Sequence, residues 1–454
     1  MKYIFSLIIV GLLCLNACKN KSAEAGKSQV FIDAANFDTL TKPGDDFFQY
    51  ANGAWLKNTE IPADKSRWGS FNILREEAQE KIKTIIDEVS KQKDAKKGTP
   101  AQQIADLYNA AMDTVALDKA GFDPIKPTLD KIKNLKDVNE LVKAVASAYE
   151  SGMTGSPFSM YVYADDKNSN QVMVNMVQGG TALPSKDYYV KTDEKTKAIR
   201  EKYNQYIANI FKLIGVDAAA AAKNAKTVLI METRLANASK FPDEMRDPIA
   251  NYNKLPKAAV DKLLSNINGV SSYLENAQLK NVDSINVPNP KYYQEVNNMF
   301  KSVSLDDWKT YLTYQTVNEA ATYLSKPFRD EKFDFFSKTM TGVKEQKPRW
   351  KQAVDLVENS LGEPLGKLYA EKYFPTEAKK RMMELIDNLD KSYQNHIKTL
   401  DWMSDSTKQK ALAKLSTITR KIGFPDKWKD YSSIDIDKNN LFKSAVNAGR
   451  YQYL

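Results

Sequence analysis

Between Ile199 and Ile214 the side chains of Ile199, Tyr203, Tyr206, Ile207, Ile210, Phe211 and Ile214 recur at spacings of three and four, and Gly215 follows. Only a helix gathers that spacing onto one face, and a glycine suits the residue just past a helix end. The segment 404–425 reads the same way. Ser404 is placed to cap, Ala411, Leu415, Ile418 and Ile422 form a stripe, and Gly423 and Pro425 stop it. Segments 356–374 and 381–400 are further helices by this reading. One region differs. FSMYVYA (158–164) and NQVMVNMVQ (170–178) roughly alternate and are joined by the polar DDKNS (165–169), which predicts a β-hairpin. KQKDAKKGTP (91–100) reads as a charged loop. The fold class expected is mainly α with a small β component.

The chain has 454 residues and two cysteines, Cys14 and Cys18. Lys2 precedes the apolar run YIFSLIIVGLLCL (3–15), which has the make-up of a signal peptide and is too short for a comfortable membrane span. LNAC (15–18) resembles a bacterial lipobox, in which Cys18 becomes the lipidated first residue. A plain secretory signal cut nearby is the alternative. Either way the chain is expected to be exported, as a cell-envelope lipoprotein in the first case, with membrane contact through the lipid. KNKSAEAGKSQ (19–29) then reads as a flexible tether. The body beyond Cys18 has no cysteine, so its stability must come from its core. Export and the even spread of charge argue against a nucleic-acid partner, although 66 Lys and Arg against 57 Asp and Glu give a net charge of +9.

His396 is the single histidine. Ser-His-Asp or Cys-His catalysis would have to pass through it, and a zinc site commonly draws on two or three histidines. His396 lies on an expected helix with no nucleophile motif nearby and reads as a surface residue. The sequence contains no HExxH, Walker loop or GxGxxG. The paired acids Asp45/Asp46, Glu76/Glu77 and Asp165/Asp166 are neighbours whose side chains diverge on a helix or strand. They read as solvated or capping groups, not acid–base pairs. These residues alone suit a binding protein as well as part of an enzyme.

PGDDFFQYANGAWLKNTEIPADKSRWGSFNILREE (43–77) resembles the N-terminal signature of the neprilysin family of zinc endopeptidases. ADDKNSNQ (164–171) with LPSKDYYV (183–190), ETRLANAS with MRDPIANYNKL (232–239, 245–255), 347–374 and 400–428 resemble later blocks of that family, in the same order. The resemblance implies two mostly helical domains around a cavity that admits peptides. It implies zinc as the cofactor of the complete enzyme, held by HExxH and a later Glu in a region beyond Leu454, with no zinc bound by this chain in the family manner. Residues 1–17 are then a signal peptide, 18–37 a tether, 38–75 the first part of a zincin-like catalytic domain, 76–430 the helical domain, and 431–454 a return toward the catalytic domain. Peptides are the implied substrates. Arg67 is implied to meet a substrate's free carboxylate, and Phe71, Asn72 and Arg75 to line adjacent pockets. Asn72 stands where some relatives have Asp. Gly44 and Asn52 stand where disulfide-bearing relatives have Cys. Pro184 with Tyr188 and Tyr189 is expected to close a turn onto the core. The rival expectation is a non-catalytic envelope lipoprotein that binds peptides or partners through its helical domain.

Overall fold

A computed structural model describes residues 32–92 and 94–454. Cys18, the signal segment and most of the tether lie outside the described residues. The chain divides into two compact units, at Pro62/Ala63. Residues 63–75 fall within the larger unit.

In the smaller unit, helix α1 (Phe47–Asn58) starts where Asp46 accepts the Gln49 amide at 2.9 Å. That carboxylate satisfies a donor the helix leaves orphaned. Gly53 is required by close approach, because a Cβ there would meet Asp38 Cβ at 2.5 Å. Phe37 and Phe47 flank Tyr50, with ring centroids 5.3 and 6.2 Å away. The aromatic cluster is thus local packing, and its two acids are capping and turn groups.

The larger unit is helical around one small sheet. Its helices used below are α2 (Ser70–Ser90), α3 (Pro100–Met112), α4 (Glu194–Leu213), α5 (Ala218–Ala238), α6 (Leu305–Ala320), α7 (Lys326–Lys332), α8 (Arg349–Tyr373), α9 (Thr376–Thr399), α10 (Asp405–Ser416) and α11 (Leu441–Tyr453). The expected hairpin is present as β1 (Ser159–Asp165) and β2 (Asn168–Val177), antiparallel from Ser159↔Val177. Two short strands extend it. β3 (Lys254–Pro256) pairs antiparallel with β4 (Ser284–Asn286), and β4 lies parallel to β2, giving the order β1-β2-β4-β3.

Three buried clusters make the core. One joins the sheet to Trp308, Tyr292, Tyr293 and Phe300, and a second gathers Tyr203, Tyr206, Phe211 and Tyr314. The third packs α2, α3 and α8 through Ile82, Ile86, Ile104, Leu107, Val354 and Val357. The stripe expected on 198–215 is what α4 buries, with Tyr203, Tyr206, Ile207, Ile210 and Phe211 inside.

Two helices depart from their expected course. The 404–425 stripe is helical only as far as Ser416. The Thr417 and Ile418 amides fold back onto Lys414 and Leu415 carbonyls, and the Thr417 hydroxyl donates to Lys414 O at 2.7 Å. These bonds satisfy the last carbonyls and end the helix before Ile418, which is exposed. Within α8 the backbone leaves helical geometry at Leu361, next to Pro364, which lacks the amide that would bond Ser360 O.

Candidate functional site

A cavity of about 790 Å³ opens in the larger unit, lined by Ala111 of α3 and by four stretches: Asp64–Arg67 with Asn72, the run from Thr322 to Lys347, the first turns of α8, and α11. Local bonds set the first wall. The Lys344 and Glu345 amides both donate to Ala63 O, at 3.0 and 3.1 Å, tying the strand before α2 to the loop before α8. Glu76 then receives Lys65 Nζ at 2.7 Å and also the Lys351 ammonium. Burial pushes the Glu76 carboxyl up, but the two lysines outweigh it and hold its pKa below the usual range.

Of the four residues implied as pocket residues, the cavity brings two together. Arg67 and Asn72 both line it. Arg67 is exposed, and among the described residues it forms no ion pair. Its guanidinium is therefore available to a carboxylate in the fork geometry that arginine offers. Phe71 is 88% exposed and outside the lining. Arg75 is also outside it. Its guanidinium donates to Glu358 at 2.9 and 2.5 Å and to Asp355 at 3.2 Å, bracing α2 against α8. The Glu358 contacts, set against partial burial, raise its pKa above the ordinary value.

The inner wall was not read from the sequence. It is formed by Arg329 and Lys332 of α7, by Phe333 and Phe336 of a π-helical stretch, Phe333–Thr339, and by Arg349 at the start of α8. A charged and aromatic stretch, 328–338, carries most of it in sequence, but its three cations are matched by Asp330, Glu331 and Asp334, so no excess of charge marks it as a wall. His396 is exposed on α9 and takes no part.

Among the described residues no three His, Cys, Asp or Glu converge as a metal site needs. No chemical step is therefore assigned to a metal held by these residues. No helix among them is long and apolar enough to cross a membrane.

Comparison with known proteins places this architecture. The model of peptidase family M13 matches residues 43–425. The chain is 28% identical over 413 residues to mouse endothelin-converting enzyme 1, an alignment covering 88% of this chain and 52% of that protein. It is 27% identical over 471 residues to human neprilysin, covering 97% of this chain and 62% of that protein. The chain thus spans about half the length of the endothelin-converting enzymes it matches. Among solved structures, the Mycobacterium tuberculosis zinc metalloprotease Zmp1 in complex with an inhibitor superposes with a TM-score of 0.86 at 33% identity, over 93% of this chain and 64% of that one. PepO from Lactobacillus rhamnosis, at 20% identity and a TM-score of 0.78, shares the fold. A family match over most of the sequence, on the helical architecture described above, makes this chain a member of peptidase family M13, the neprilysin family of zinc metalloendopeptidases.

Proposed function

We propose that this chain is the peptide-enclosing portion of an exported zinc metalloendopeptidase that cuts on the amino side of apolar residues. In this reading the zinc-activated water comes from a region outside this sequence, and Arg67 positions the substrate by its free carboxylate. Asn72 faces the same space, and Phe71 and Arg75 act from the rim, Arg75 through its brace on α8. A lipid on Cys18 holds the protein at the membrane.

The observation that supports this reading is Arg67, whose guanidinium forms no ion pair among the described residues and lies on the wall of a cavity large enough for a peptide side chain. The test is the native reading frame past codon 454, followed by an assay of the encoded protein. The frame should continue into HExxH, and the protein should cleave unstructured peptides in a chelator-sensitive way. A frame that ends at Leu454 would sink the enzyme reading.

A second reading, a non-catalytic envelope lipoprotein, is favoured by one observation. The whole cavity is built from residues of the larger unit. Under it, the 454-residue chain should hold peptides equally well with and without chelator, and no longer product of the same gene should exist.

A further inference from the structure

We propose that the inner wall of the cavity is a subsite for the carboxylate side chains of bound peptides, made by Arg329, Lys332 and Arg349 beside the rings of Phe333 and Phe336. The proposal rests on the peptide-enclosing reading above and adds which side chains the enclosure favours.

Charge on the cavity wall is unbalanced. Six cations line it, Lys65, Arg67, Arg329, Lys332, Lys347 and Arg349, against the carboxylates of Asp64, Glu345 and Asp355. Two of those acids are already engaged, Asp64 by Lys65 at 3.5 Å and Asp355 by Lys347 at 3.0 Å and by Arg75. The three inner cations rest mainly on carbonyl groups. Lys332 Nζ donates to Asn318 O at 2.8 Å, near the end of α6. Arg349 Nε donates to Ala111 O at 2.7 Å, in the last turn of α3. Arg329 Nη1 donates to Leu324 O at 2.5 Å.

A cation at a helix C-terminus is stabilised by the exposed carbonyls, and a purely structural role would end there. A carbonyl, however, carries only a partial charge. Among the described residues the one carboxylate within ion-pair reach of the three is Asp118, 3.6 Å from Arg329. Burial accordingly holds all three below their ordinary pKa, with Arg349 down to about 10, where the nearby Arg329 charge adds to the effect. Desolvated like charges facing an open cavity are what an anion would relieve.

A second observation concerns the backbone. The π-helical stretch Phe333–Thr339 follows directly on Lys332. Such turns are rare, and where they occur they often mark functional sites because they re-aim side chains. Here the stretch puts two aromatic rings on the wall beside the cations. The pairing suits a peptide with an acidic residue next to an apolar one.

The test is calorimetric titration of the 454-residue chain with a short apolar peptide, acetylated and amidated, that carries glutamates, and with its glutamine counterpart. Blocked ends remove the carboxylate that Arg67 would claim. The glutamate peptide should bind about tenfold tighter at low salt, with the advantage shrinking as ionic strength rises. Lys332→Met and Arg329→Gln should each bring the ratio toward one while leaving the glutamine peptide's affinity unchanged, which also shows that the variant is folded. Arg67→Ala should leave the ratio intact. Equal affinity for the two peptides in the unmodified chain would overturn the subsite while the peptide reading stood. If neither peptide bound, both would fall. Inorganic phosphate, at matched ionic strength, tests the other source of anions. Lys332-dependent phosphate binding alongside equal peptide affinities would assign the cluster to free anions and overturn the peptide assignment.

Discussion

Each of the acid pairs that stand out in the sequence includes a residue with a structural task. Asp46 caps α1, Glu76 joins Lys65 to Lys351, and Asp165 accepts Lys254 Nζ at 2.8 Å and the Tyr252 hydroxyl at 2.9 Å. The Lys254 contact, with the Lys167 amide, pulls the Asp165 carboxyl down to about 2. Its share of stability is therefore present above the unfolded carboxylate range and is lost as pH falls from near 4 toward 2. In urea titrations, Asp165→Asn should be less stable than the native chain at pH 6, with the gap closing by pH 2. A gap that stays constant would contradict this account of the hairpin turn. Glu232 has the opposite sign. It is fully buried on α5 and accepts four donors: the Ala182 amide, the Tyr189 and Tyr203 hydroxyls, and the Gln315 amide. Burial pushes its carboxyl up to about 7 even so. Its stabilising share is thus complete below about pH 4 and is lost as pH rises through 7, on the order of 3 kcal/mol in all. Glu232→Gln should flatten the stability curve between pH 5 and 8 relative to the native chain, and an unchanged slope would refute the assignment.

The four helices singled out in the sequence and the hairpin were legible because periodicity and caps are local signals. Ser404 accepts the Thr407 amide as its position implied, and α4 buries the stripe that marked it. The strands β3 and β4 were not legible, since three residues carry no periodicity and β4 joins β2 only through a pairing more than a hundred residues distant. The end of α10 was missed because hydroxyls at Ser416 and Thr417 compete for the last carbonyls, a choice that an apolar stripe does not record. At this scale α9 makes a prediction of its own. Met382, Leu385, Leu389 and Tyr393 lie along one face at helical spacing, each at least 41% exposed, and the helix buries none of its residues. An apolar stripe of this kind promotes association. Leu385→Lys with Leu389→Lys should lower self-association and hydrophobic-dye binding without lowering Tm by more than a degree or two, because neither side chain is in the core. A large fall in Tm would show that the stripe is packed in solution.

For the molecule as a whole, the cavity was half legible. Arg67 and Asn72 were found through resemblance, which singles out a stretch of sequence. The inner wall was hidden because its cations and rings come from segments centred near 330 and 349 that meet the Asp64–Arg67 strand only in the folded chain. The two implied residues that lie off the wall have readable reasons. Arg75 is held by Glu358 and Asp355 across the α2–α8 contact, and Phe71 sits on the outward face of the first turn of α2. The proposed role of this cavity is to receive a peptide by its carboxylate. The direct measurement is titration of the 454-residue chain with one short apolar peptide in two forms, free acid and amide, and the same pair with Arg67→Ala. The account predicts that the free acid binds roughly tenfold more tightly, as one charge-assisted contact would give, and that Arg67→Ala abolishes the difference while leaving amide binding unchanged. Equal affinity of the two forms, or a preference that survives Arg67→Ala, would contradict it.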